Sequence, residues 1–232
     1  MTKDNKNFND ALKLFDKTYT QEELIELLKN GSVIERQYAA LSINNICSKK
    51  EAEIFLSNLV GVDGKIREAV ALKLEELTKK SPQYFQQEEL YSKFSDATID
   101  IDGNVCRLAI NSAKNIIDND KFAQFYANEM LNIINTALSE ISKFTFRDKK
   151  YKINKQIFKI YWCLEALIYF YPFANNTRLY GILIKCSDLP EYTIREKCAK
   201  LVKILPQEKD LSEMKNKLLN DENYYVRNIF NN

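Results

Sequence analysis

The chain contains no histidine among its 232 residues. That removes the usual general base for a serine or cysteine nucleophile and the commonest zinc ligand, so hydrolase triads and histidine-containing zinc sites are excluded. Glycine and proline are scarce, at five and four residues, and the punctuation of an all-β chain is missing. No run approaches the roughly 18 consecutive apolar residues of a membrane span. The nearest, from Ile160 to Phe173, is too short and carries Glu165. The start, Met1-Thr2-Lys3-Asp4-Asn5-Lys6-Asn7, has no hydrophobic signal region. No membrane association and a cytoplasmic location are therefore expected. The five cysteines, Cys47, Cys106, Cys163, Cys186 and Cys198, are odd in number and form no CxxC pair, so free thiols are expected and neither a metal site nor a cofactor is.

What is present is helical periodicity. In the stretch from Ile66 to Leu77, the residues Ile66, Ala69, Val70, Lys73, Leu74 and Leu77 recur at spacings of three and four and share one face. Asp63 stands where an N-cap belongs, Lys79 and Lys80 sit at the favourable end of the dipole, and Ser81-Pro82 stops the helix. Further capping boxes are expected at Thr20-Gln21-Glu22-Glu23 and Ser48-Lys49-Lys50-Glu51.

With Arg67 as anchor, the pattern returns at Arg36, Arg107, Arg195 and Arg227, and at Lys159 in the same slot. Successive anchors lie 31, 40, 52, 36 and 32 residues apart, which is the period of stacked helix pairs. The Val/Ile-Arg-x-x-Ala-x-x-x-Leu signature, best kept from Ile66 to Leu77, resembles the HEAT-repeat (HEAT-like, armadillo-type) family. The family's Asp six residues before the Arg is matched by Asp221 with Arg227. Elsewhere the acid is shifted: Asp63 is four before Arg67 and Asp102 five before Arg107. The resemblance implies an all-α, right-handed α-solenoid of about six helical hairpins, with second helices along a concave binding side. It also implies that Arg36, Arg67, Arg107, Arg195 and Arg227 are structural anchors bonding neighbouring repeats. Residues 1–19 are expected as a leading segment with a helix over 9–17, and residues 20–232 as one repeat domain.

The long spacing of 52 coincides with a basic insertion near 143–156. From Lys143 to Lys159 there are seven cations, Lys149, Lys150, Lys152 and Lys155 among them, against the single acid Asp148. The local charge is +6 in a chain whose total is +2. Phe144, Phe146 and Tyr151 are interleaved. A solvated loop and a patch for an anionic ligand such as nucleic acid are both open, with Lys149, Lys150, Lys152, Lys155 and Trp162 as the binding candidates.

The most apolar helix is expected over 157–171, with Tyr161, Trp162 and Glu165 on one side. In apolar surroundings Glu165 would serve as an acid or base; facing water, or paired with a lysine of the preceding loop, it would not. The string Asp100-Ile101-Asp102-Gly103 reads as a turn and helix cap, since the twelve-residue calcium pattern is incomplete.

Two functions stand side by side. One is a scaffold or adaptor, not an enzyme, that binds a protein partner on its concave face. The other resembles the alkylpurine DNA glycosylases built on HEAT-like repeats, in which Glu165, Trp162 and Tyr161 would be catalytic; the Trp-rich motif of that family is missing here.

Overall fold

The computed structural model describes residues 12, 14–143, 150–206 and 209–231. Residues 9–11 and 13 of the expected leading helix lie outside these, as do Phe144, Phe146, Arg147, Asp148 and Lys149 of the basic segment. Among the described residues there is no strand, and none of the helices is long and apolar enough to cross a membrane.

Two compact units divide the chain, one ending at Phe122 and the other starting at Ala123. The first contains three hairpins: α1 (Gln21–Asn30) with α2 (Val33–Ser42), α3 (Lys49–Leu59) with α4 (Gly64–Lys80), and α5 (Glu88–Thr98) with α6 (Gly103–Lys114). First helices pack on first helices, α1 on α3 and α3 on α5, while second helices run α2 on α4 and α4 on α6. No hairpin covers its own apolar face, so the stacking makes the core. Phe55, Leu56, Val70, Leu74, Phe94 and Val105 are fully enclosed in it, each stabilising by roughly 1.5–3 kcal/mol over exposure.

Polar residues set where each helix begins. Thr20 Oγ1 accepts the Glu23 amide while Glu23 Oε2 accepts that of Thr20, at 3.3 and 2.9 Å. Ser32 and Glu35 form the same reciprocal pair, which opens α2 immediately after Gly31. A Cβ at Gly31 would stand 2.5 Å from the Leu27 carbonyl, so only glycine fits this turn. The box expected at Ser48 is half made. Ser48 takes the Glu51 amide, but Glu51 turns to the Cys47 amide and to the Gln21 side chain of α1, joining the first two hairpins. Asp63 accepts the amides of Lys65 and Ile66 at 2.9 and 3.1 Å, and Asp102 accepts that of Asn104 at 2.7 Å.

In the second unit, α7 (Asp120–Ser142), whose first turn closes the preceding unit, is followed by α8 (Lys150–Phe170), α9 (Asn176–Ser187), α10 (Tyr192–Ile204), α11 (Lys209–Leu219) and the short α12 (Tyr224–Asn228). The layering is the same: α8 packs on α10 and α10 on α12, with α9 against α11. Tyr126 of α7 meets Phe170 of α8 with ring centroids 4.7 Å apart, and Arg178 of α9 donates to Asn132 of α7 at 2.6 Å.

The start of α8 differs from expectation. The helix begins at Lys150, so Lys150, Lys152 and Lys155 belong to its first turns and not to a loop. Cations at a helix N-terminus are unfavourable. Here Ile153, Ile160, Leu164 and Leu167, spaced by seven, four and three and buried, outweigh that cost.

Candidate functional site

Five second helices place one residue four positions after the N-cap, and the same construction recurs there. Ser32, Asp63, Asp102, Glu191 and Asn223 are the caps. Arg36, Arg67, Cys106, Arg195 and Arg227 follow them. Arg67 clamps Asp100 of the next hairpin through Nε and Nη2 at 2.7 and 3.3 Å, and its Nη1 donates to the carbonyls of Gly61 and Val62 at 3.0 and 2.9 Å. Arg195 repeats this geometry on Asp221 at 2.7 and 3.1 Å and on the carbonyls of Leu189 and Pro190. Arg227 donates to the carbonyls of Asp221 and Glu222. Arg36 uses the amide oxygen of Asn58 and the Leu28 carbonyl.

The acid paired with Arg67 is thus Asp100, while Asp102 and Asp63 serve as caps. Asp221 binds the arginine of the preceding hairpin with its carboxylate and offers Arg227 only its carbonyl. Burial alone would raise the Asp221 carboxyl; the Arg195 hydrogen bond and charge, with the Asn223 amide, overcome this and hold it below the usual range.

Arg107 lies one residue past this row. Counted from the cap, the equivalent of Arg67 is Cys106, whose Sγ donates to the Asp100 carbonyl at 3.2 Å. Burial, then the Asp100 charge, push that thiol up to about 12. Arg107 is exposed and makes no hydrogen bond or ion pair among the described residues. It stands on the outward side of α6, in the row that Gln37 and Glu68 occupy on α2 and α4. Four residues on, the outward row continues through Leu41, Leu72 and Asn111. Leu41 and Leu72 are 50% and 55% exposed, whereas Leu74 and Leu77 of α4, and Ala39 and Ala40 of α2, are fully buried. Glu75 accepts from Asn111 at 3.2 Å, and Lys73 donates to Asn44, just past the end of α2, at 2.9 Å, so polar contacts run between neighbouring hairpins beside these leucines.

In the second unit Glu165 is half-buried, and its carboxylate lies 2.5 Å from the Lys197 ammonium of α10. The partner comes from the next hairpin and not from the preceding basic segment. Lys197 also sits 4.6 Å above the Tyr161 ring. Burial works to lower the Lys197 pKa, but the Glu165 hydrogen bond and charge win and leave it above the ordinary lysine value. Trp162 packs edge-on to Tyr161 and Phe158 at 5.2 and 6.1 Å, with its buried Nε1 unpartnered. Lys152, Lys155, Lys159 and Trp162 follow one another at helical spacing along α8. Lys150, Lys152 and Lys155 are exposed; Lys149 is outside the described residues.

An exposed aromatic cluster, which periodicity did not single out, joins α10 to α12. Tyr192 and Tyr225 stack at 6.2 Å and 28°, and Tyr224 meets Tyr225 edge-on at 5.7 Å. The available signal was position: each ring stands two or three residues before a cap-plus-four arginine. Among the described residues no group of three acidic or thiol side chains is gathered as a metal site would need. An open depression of about 410 Å³ in the first unit is lined by Tyr19, Glu23, Glu26 and Glu35 among others.

Neither a protein-family model nor a curated protein matches the sequence. Solved structures do. A designed armadillo repeat protein superposes with a TM-score of 0.50 at 10% identity, over 91% of this chain and 97% of that one. Another, in complex with the peptide (KR)4, gives a TM-score of 0.51 at 11% identity, over 92% and 97%. The fold is an all-α helical-repeat solenoid of the HEAT and armadillo type.

Proposed function

We propose that the chain is a non-catalytic scaffold that holds a protein partner along the outward row of its second helices. The observation that carries this reading is the half-exposure of Leu41 and Leu72, at equivalent positions of α2 and α4, beside Glu68, Arg107 and Asn111. Their side chains contribute little to the core. Apolar anchors ringed by polar groups are the composition of a protein-binding surface. The ladder arginines, in contrast, spend their donors inside the fold, which leaves the outward row as the recognition surface. The designed armadillo neighbour in complex with a peptide supports the same kind of use for this architecture.

The test compares the chain with its Leu41→Glu/Leu72→Glu variant in affinity capture followed by quantitative mass spectrometry. A reproducible partner lost in the variant, with unchanged circular dichroism, supports the reading; recovery of nothing reproducible by the unaltered chain ends it. The competing reading is a DNA-binding glycosylase that draws on the basic stripe of α8. Against its chemistry stands the Lys197 ammonium on Glu165, which occupies the carboxylate that a substrate would have to reach. A salt-dependent gel shift on duplex DNA, with release of a damaged base that Glu165→Gln abolishes, would reverse the choice.

A further inference from the structure

Two of the ladder arginines, Arg67 and Arg195, close on a carboxylate, and in both cases the acid occupies the same place in the fold. Asp100 and Asp221 are each the second residue after a first helix, α5 or α11, and each stands two before the cap of the next second helix. The chain turns there in one way: the Asp100 amide donates to the Ala97 carbonyl and the Asp221 amide to that of Leu218, both at 3.3 Å. Each carboxylate also accepts the amide two residues on, at 2.8 Å. After α3 the same turn is made by Gly61, whose amide donates to the Asn58 carbonyl at 3.4 Å, two residues before the Asp63 cap. No carboxylate stands at that position.

Arg36 is consequently the exception in the ladder. Its Nε and Nη2 donate to the side-chain oxygen of Asn58, and Nε also reaches the Leu28 carbonyl. Nη1, which in Arg67, Arg195 and Arg227 bonds two backbone carbonyls, donates to nothing among the described residues. An amide oxygen satisfies donors but leaves the guanidinium charge unbalanced. The half-buried Arg36 lines an open cleft of about 360 Å³ with Lys29, Lys50, Glu53 and Ile54. Neither lysine has a hydrogen bond or ion pair among the described residues. Three cations against one acid leave two positive charges in surplus. The neighbouring acids are engaged elsewhere: Glu26 on Asn30 and Glu35 on the Ser32 amide, Glu51 on Cys47 and Gln21, Asp63 as the cap of α4.

We infer that this cleft, with Arg36, Lys29 and Lys50, is a binding site for a dianionic phosphoryl group, which gives Arg36 the counter-charge that Asp100 and Asp221 give to Arg67 and Arg195. The free Nη1 keeps both of its N–H donors, and two ammoniums complete a cationic set suited to phosphoryl oxygens. A neutral ligand would leave the surplus charge unmet, and a single carboxylate would meet half of it. Glu53 opposes the anion and limits affinity. The site is independent of the Leu41 and Leu72 row.

The experiment follows the Arg36 Nε–Hε resonance of the isotope-labelled full chain by NMR as sodium phosphate is added at mildly alkaline pH, against sodium chloride at matched ionic strength. Phosphate shifts the resonance saturably; chloride does not. Lys50→Gln weakens binding about two- to fivefold, and Glu53→Gln strengthens it. The deciding variant is Gly61→Asp. A Cβ there stands 3.4 Å or more from its neighbours, so the side chain fits. Its carboxylate engages Arg36 and weakens phosphate binding about tenfold or more, while Gly61→Asn, of the same size without the charge, retains it. A glycine-rich peptide with one phosphoserine, compared with its unmodified form, separates the sources. A response to the phosphopeptide supports a modified side chain of a partner, and a response to inorganic phosphate alone supports a small phosphorylated ligand. A chloride shift equal to that of phosphate, or an undiminished phosphate response in Gly61→Asp, overturns the inference and leaves the scaffold reading untouched.

Discussion

Replacing Arg67 by methionine removes a guanidinium that makes four hydrogen bonds and leaves a stem of similar length in place. Asp100 is then left with only 10% of its side chain exposed, the Asp102 amide as its remaining partner, and no counter-charge. Breaking a buried pair costs about 3–5 kcal/mol. Residual water access at this edge reduces that, and we expect about 2–4 kcal/mol. Asp100→Asn keeps the two carbonyl contacts of Arg67 and should cost less, about 1–2 kcal/mol. The double variant isolates the pair, with a coupling of about 1.5–3 kcal/mol. The internal control is Arg107→Met, which removes an exposed side chain with no partner and should stay within about 0.5 kcal/mol. Urea unfolding followed by far-UV circular dichroism reads all four. The corresponding Arg195→Met is read in the second unit by fluorescence of Trp162, the only tryptophan. If Arg107→Met costs as much as Arg67→Met, or if Arg67 and Asp100 show no coupling, counting from the cap is the wrong way to define the ladder.

Thiol reagents applied to the folded chain should modify Cys47 alone, since Cys106, Cys163, Cys186 and Cys198 are buried; mass spectrometry reporting rapid labelling of Cys106, whose thiol is pushed up to about 12, would contradict the packing around Asp100. The depressed Asp221 carboxyl stabilises the fold above its unfolded value near 3.8, and that contribution is lost as pH falls through the lower folded value. Asp221→Asn should therefore flatten the acid limb of stability against pH and leave the alkaline limb alone. Lys197 behaves oppositely: its raised pKa gives stability that is full below 10.5 and lost as pH climbs through the folded value, so Lys197→Met flattens the alkaline limb. Ala71→Leu overfills a fully buried contact between second helices and should cost about 1–3 kcal/mol in the same urea assay.

The helices and their pairing were legible because three- and four-residue apolar spacing and capping residues act within a few positions of one another. What escaped depends on contacts across hairpins. Glu165 and Lys197 lie 32 positions apart, and nothing local marks them as partners. The basic stretch reads as a loop because Lys150, Lys152 and Lys155 oppose the dipole; the helix forms there because burial of Ile153 and the residues below it is worth more. Arg107 matches the anchors in residue type alone, a rule that fails where Cys106 fills the slot.

Register explains why that single residue matters. Successive positions on a helix turn by about 100°, so a step of one carries a side chain from the inter-hairpin seam to the outward face. Val62-Asp63-Gly64-Lys65-Ile66-Arg67 and Ile101-Asp102-Gly103-Asn104-Val105-Cys106 align residue for residue from their caps. The aligned row then sorts charge by role. At the fourth position past the cap, side chains face into the seam and bond backbone carbonyls there. At the fifth, Gln37, Glu68 and Arg107 face outward with whatever charge they carry. The ladder therefore fixes the spacing of the hairpins while leaving the chemistry of the outward row free to vary. An outward residue such as Arg107 should accordingly alter partner affinity with little effect on stability, the reverse of what holds for Arg67.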